Sequence, residues 1–101
     1  MINKNQKIHS YIGLAMRAGK VVSGDDTTLK ELKKGRLYLV IVAEDASDNT
    51  KKLFKDKSAY RKVDQILFST KVELGLSIGK SPRAVLGIKD KSLSQKILEL
   101  M

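Results

Sequence analysis

Apolar residues fall at helical spacing at Ile8, Ile12, Ala15 and Ala18, with Tyr11 and Leu14 flanking the same face. This spacing predicts an amphipathic helix from Ile2 to Ala18 that stops at Gly19. Val21 to Ser23 reads as a short strand. Leu29 and Leu32 form the apolar stripe of a second helix, started by Asp25 or Asp26 and ended by Gly35, with lysines on its other face. Leu37 to Ala43 is apolar at every position, the pattern of a central strand covered by helices on both faces. Ser47 or Asn49 can cap a third helix running to about Lys62, with Leu53, Phe54 and Tyr60 available to the core. Gln65 to Ser69 predicts another strand, and Thr70-Lys71-Val72-Glu73 has the capping-box spacing of a fourth helix that Gly79 ends. Ala84 to Ile88 predicts the last strand, and Leu93, Ile97 and Leu100 a final helix. Strands alternating with helices give an α/β fold, an α-β-α sandwich three layers thick.

Composition limits what such a fold does. At 101 residues the chain is expected to be one domain, residues 1–101, with a thin core, since a chain of this size buries only roughly two-thirds of its unfolded surface. Hydrophobic residues make up 42% and there is one Pro, which argues for a folded chain. There is no cysteine and one histidine, His9, so disulfides, thiol catalysis and Cys- or His-rich metal sites are excluded, and neither metal nor cofactor is expected. The longest apolar run, Leu37 to Ala43, falls far short of the ~20 residues that span a bilayer. The N-terminus has no signal-peptide pattern. A soluble, cytoplasmic, monomeric protein without membrane contacts is expected.

Charge points to a partner. Lysine and arginine total 20 against 11 acids, a formal charge of +9. No acid occurs before Asp25, while bases cluster at Lys30, Lys33, Lys34 and Arg36 and again from Lys51 to Lys62. Such a surface attracts polyanions, of which nucleic acid is the commonest in cytosol.

Several motifs offer chemistry, and most have a plainer reading. Gly75-Leu76-Ser77-Ile78-Gly79-Lys80-Ser81 is one residue short of a phosphate-cradling P-loop and is not preceded by a strand. Ser77 and Lys80 match a Ser-x-x-Lys pair, yet no partner motif supports acyl transfer. Glu44 and Asp45 follow the central strand, where they are expected to solvate the loop and help start the third helix, and His9 is expected to be exposed. The strongest segment is Ser23 to Lys30. A glycine before a helix lets backbone approach a ligand, and the first-turn N–H groups offer donors. Lys30, Lys33 and Lys34 frame that helix start with positive charge, while Asp25 and Asp26 serve equally well as caps.

These residues in this order resemble the kink-turn-binding ribosomal protein family of the large subunit, the L-seven-Ae and L-thirty-e group, and in particular its small bacterial YlxQ-type branch. The resemblance rests on Gly24-x-x-x-Thr28-x-Lys30, Lys34-Gly35, Leu39 to Ala46, and Glu73-Leu74-Gly75 with Gly79, and so spans nearly the whole chain. It implies a mixed four-stranded sheet within the sandwich. It also implies a non-catalytic RNA binder that grips a sharply bent internal loop with sheared G·A pairs. The candidate RNA-binding residues are Gly24, Asp25, Asp26, Thr27, Thr28, Lys30, Lys33 and Lys34 at the groove. In the apical loop, whose counterpart packs on an extruded base, they are Gly79, Lys80, Ser81, Pro82 and Arg83. The chain departs from the strictest pattern in having Asp26 then Thr27 where those relatives carry Asn then Glu, which alters the groups facing guanine. A competing expectation is a protein-interaction module on the same fold, and a more distant one a phosphate-binding enzyme.

Overall fold

A computed structural model describes residues 3–101; Ile2, which the sequence pattern includes in the first helix, lies outside them. The elements run α1 (Lys4–Arg17), β1 (Val21–Ser23), α2 (Asp25–Lys33), β2 (Leu39–Val42), α3 (Asp48–Tyr60), β3 (Asp64–Leu67), α4 (Lys71–Ser77), β4 (Val85–Ile88) and α5 (Lys91–Glu99). The strands form one mixed sheet in the order β1-β4-β2-β3, with β4 antiparallel to both neighbours and β3 parallel to β2. Helices α2 and α3 pack on each other, as do α1 with α4 and α1 with α5, giving the three-layer sandwich.

Every residue of β2 and β4 is buried, as expected of inner strands whose two faces are both covered. Ile8 and Ile12 of α1, Leu32 of α2, Phe54 of α3, Leu74 of α4 and Ile97 of α5 close the core against them. Local signals start the helices. Asn3 caps α1 by a reciprocal box with Gln6, Ser47 caps α3, Thr70 caps α4 and Asp90 caps α5, each side-chain oxygen accepting a first-turn N–H.

Some expected details differ. The strand Leu37 to Ala43 narrows to Leu39–Val42, and Tyr38 is half exposed, because β2 is short and the chain enters it from the surface. Tyr60 is 75% exposed rather than in the core, since α3 ends there and only Phe54 and Ser58 of its inner face are buried. Ala18 is likewise exposed as the C-cap of α1. At the end of α3, Lys62 occupies a left-handed conformation (φ 56°). The Lys62 and Val63 N–H groups close a Schellman motif on Ala59 and Ser58 carbonyls, which holds a lysine where glycine is usual.

The topology fixes where a ligand site can form. Because β1 and β2 both run antiparallel to β4, and β3 parallel to β2, the starts of α2, α3 and α4 and the entry into β4 all lie at one end of the sheet. Open α/β sheets place ligands at the carboxyl ends of their parallel strands.

Candidate nucleic-acid interface

At that end, α2 begins without a side-chain cap. Gly24 occupies the N-cap position at φ 89°, ψ 156°, a conformation essentially reserved for glycine, so neither Asp25 nor Asp26 is the cap that the sequence suggested. Both lie in the first turn, where their charge suits the helix dipole. The Gly24 N–H donates to the Val85 carbonyl at 3.1 Å, which fixes the turn to β4. The helix's first hydrogen bond runs from Thr28 N–H to the Gly24 carbonyl (3.1 Å), leaving the N–H groups of Asp25, Asp26 and Thr27 without a partner inside the helix.

Side chains divide the segment. Asp25 accepts from Thr50 Oγ1 (3.4 Å), whose oxygen in turn accepts from Ser47 Oγ (3.0 Å), so this carboxylate joins the starts of α2 and α3. Asp26 and Thr27 are exposed. Thr28 is fully buried and its hydroxyl has no partner among the described residues, so this candidate contact is corrected to a packing residue. Asp26, Leu29, Lys30 and Lys33 line one shallow depression of about 320 Å³, so the two lysines, which lie in the last turn of α2, share a helix face with Asp26 of the first. Lys34 is the exposed C-cap of α2 at its far end.

The apical loop meets this segment through Arg83. Its Nε donates to Ser23 Oγ (3.2 Å), next to Gly24, while Nη1 donates to Ser81 Oγ (2.7 Å) and to the Ser81 and Pro82 carbonyls (3.1 and 3.2 Å). Its guanidinium thus holds the loop in shape and ties it to β1, a positioning role that no local pattern announces. Lys80, Ser81 and Pro82 are exposed. Beneath the loop, Gly75 lies so close that a Cβ there would sit 2.3 Å from the Ser81 carbonyl oxygen. The Arg83 N–H donates to the Lys71 carbonyl (3.0 Å), completing the anchorage to α4.

This geometry also accounts for the motifs that offered other chemistry. In the P-loop-like segment the Gly79 and Lys80 N–H groups bond to the Leu76 and Gly75 carbonyls, so they terminate α4 and do not form a phosphate cradle. Asp45 accepts from Lys71 N–H (2.9 Å) and so supplements the Thr70 cap of α4, instead of starting α3. No group of acids and histidine among the described residues is arranged to hold a metal ion. No described helix is long and apolar enough to cross a membrane.

His9 is not the exposed residue its position suggested. It is half-buried against Phe68 (ring centroids 4.9 Å apart), with Nδ1 hydrogen-bonded to Ser77 Oγ and Nε2 to Ser69 Oγ (3.0 Å). The Ser77 hydroxyl donates to the Glu73 carbonyl (3.0 Å), so it accepts from Nδ1–H, and Nε2 accepts from Ser69. Burial disfavours the imidazolium and pulls the pKa below the usual 6.5, opposed by the weaker attraction of Glu73. Above about pH 6.5 the residue is neutral in both folded and unfolded chains; below it the unfolded chain takes up the proton first, so stability is lost as pH falls. Thermal melts between pH 7.5 and 5 are expected to show a larger loss for the native chain than for His9→Gln, and equal losses would exclude this coupling.

Comparison with known proteins bears on the whole chain. The pattern of the family described as "Ribosomal protein L7Ae/L30e/S12e/Gadd45 family" matches residues 6–98. The chain is 44% identical over 96 residues to a protein of Enterococcus faecium called RNA-binding protein YlxQ, covering 95% of this chain and 92% of that one. A Bacillus subtilis protein of the same name is 43% identical over 90 residues, covering 89% and 90%. A solved structure of a Bacillus halodurans protein of unknown function superposes with a TM-score of 0.90 at 35% identity, covering 93% of this chain and 95% of that one.

Proposed function

Because the chain belongs to the ribosomal protein L7Ae/L30e/S12e/Gadd45 family, we propose that it is a non-catalytic binder of structured RNA. We take its site to be the junction of the Gly24 helix start and the apical loop. The RNA-binding relatives support this reading, and one structural observation carries it: two segments far apart in sequence are joined at one sheet end by the Arg83–Ser23 hydrogen bond. The exposed first-turn N–H groups and Asp26 offer donors and an acceptor to base edges, and Lys30 and Lys33 offer charge to the adjacent phosphates. Lys80 and Pro82 present a surface on which an unstacked base can rest. Irregular RNA displays such edges and splayed bases, whereas a regular A-form helix hides them, so a bent internal loop of the kink-turn kind is the class of target. The chain acts as one unit, as a monomer in the cytoplasm.

Titration of a kink-turn RNA tests this. With about four phosphates neutralised, log affinity is expected to fall against log salt with a slope of about −3, so a fourfold rise in salt weakens binding roughly sixtyfold. Lys30→Ala and Lys33→Ala are each expected to cost about 1 kcal/mol and to flatten the slope by about one. A salt-independent association, or two silent substitutions, would remove this site.

A further inference from the structure

The end of the sheet opposite the RNA site holds a second cleft, of about 210 Å³, where β2 and β3 begin, α3 ends and α5 begins. One wall is Tyr38, a residue 49% exposed just before a buried strand. Lys62 and Lys91 approach from the ends of two different helices, and neither has an ion-pair partner among the described residues. The Schellman turn holds Lys62 in a left-handed conformation, fixing its backbone at the rim. Asp64, Ser94 and Gln95 line the rest, with the Ser94 hydroxyl shut off from solvent beneath the surface.

We propose that this cleft binds one 5′-nucleotide unit, its base stacked on Tyr38 and its phosphate between Lys62 and Lys91. An exposed aromatic with flanking cations is the combination that holds an unpaired nucleotide, because every base has a face to stack and every phosphate a charge to neutralise. Gln95 and Asp64 supply a donor and an acceptor to the base edge and sugar hydroxyls, and the Asp64 carboxylate disfavours further phosphate charge, which selects a monophosphate over a polyphosphate. A volume of about 210 Å³ suits a base and part of its sugar-phosphate but not a folded helix. Next to it in sequence, Tyr60 lies exposed beneath the Arg61 guanidinium (5.6 Å to the ring centroid), a second platform for a neighbouring base. The site lies across the sheet from the Gly24 end, so it stands whether or not the bent-RNA reading does.

The test is an NMR titration of the full chain with uridine monophosphate, with ribose 5-phosphate and with a tetrauridylate strand. Uridine monophosphate is expected to move the amides of Tyr38, Lys62, Lys91 and Gln95 and to leave those of Gly24 to Lys30 in place. Tyr38→Ala is expected to weaken it about tenfold and Tyr38→Phe less than twofold. Lys91→Glu is expected to weaken it several-fold. A tetrauridylate affinity at least tenfold higher than that of the mononucleotide assigns the site to an RNA strand, and equal affinities assign it to free nucleotide. Three results would overturn the proposal: ribose 5-phosphate binding as tightly as the nucleotide, an unchanged affinity in Tyr38→Ala, or shifts confined to the Gly24 end. Failure of the kink-turn titration alongside a normal uridine response sinks only the bent-RNA reading.

Discussion

Replacing Gly75 by alanine is expected to destabilise the protein by about 1–3 kcal/mol and to weaken RNA binding at least tenfold. The sign of this change is informative, because Gly75 lies in α4, where helical propensity alone favours alanine by about 1 kcal/mol. Against that, the added Cβ would fall 2.3 Å from the Ser81 carbonyl oxygen, 2.7 Å from its carbon and 2.8 Å from the Lys80 carbonyl oxygen. These are backbone atoms, so no side-chain rotation relieves the clash, and the loop bearing Lys80 to Arg83 has to lift. Lifting it strains the Arg83 hydrogen bonds to Ser23 and Ser81, and so loosens the join between the two halves of the site. Urea unfolding and an RNA titration measure the two effects separately. A stabilised Gly75→Ala protein with unchanged affinity would show that the loop does not rest on α4.

The second large effect is at Gly24 and has a different cause. Nothing lies within 4 Å of a Cβ built there, so space is not the constraint; the constraint is the backbone, at φ 89° and ψ 156°. An L residue in that region stores about 1–3 kcal/mol. Gly24→Ala is therefore expected to lose that much stability, or to turn the Asp25, Asp26 and Thr27 N–H groups away and lose about tenfold in RNA affinity. A chain carrying D-alanine at position 24, accessible by chemical synthesis, reaches the same φ without strain and is expected to retain both. If L- and D-alanine behave alike, the backbone conformation of Gly24 is not what orders the helix start.

Much of the fold is legible locally. The continuous apolar stretch around Leu39 to Val42, the Thr70 cap and the glycines after α1, α2 and α4 place the elements to within a few residues, because burial periodicity and capping are decided by neighbours in sequence. The segment from Gly24 to Lys34 is legible as a helix with lysines on its polar face for the same reason, but the lysines fall in its last turn and C-cap while the first turn is acidic. Thr28 shows the limit. In sequence it is one of four consecutive polar residues, yet the turn of the helix carries it into the core while Asp26 and Thr27 stay outside. His9 shows it again, since its two serine partners lie 60 and 68 residues away and nothing near it in the chain foretells them.

The alternation of strands and helices, the +9 charge, the absence of thiol chemistry and the family pattern can all be read from the chain before it folds. All of these depend on residue identity and short spacing. That β4 lies between β1 and β2, and with it that Ser23 meets Arg83 across 60 residues and that Gly75 lies beneath Ser81, emerges only in the folded chain. Strand order is set by how all the apolar faces share one core, a global balance that no local window contains. The same order gave Arg83, expected as an RNA contact of the apical loop, hydrogen bonds that bracket that loop to β1, and gathered Tyr38, Lys62 and Lys91 at the opposite end.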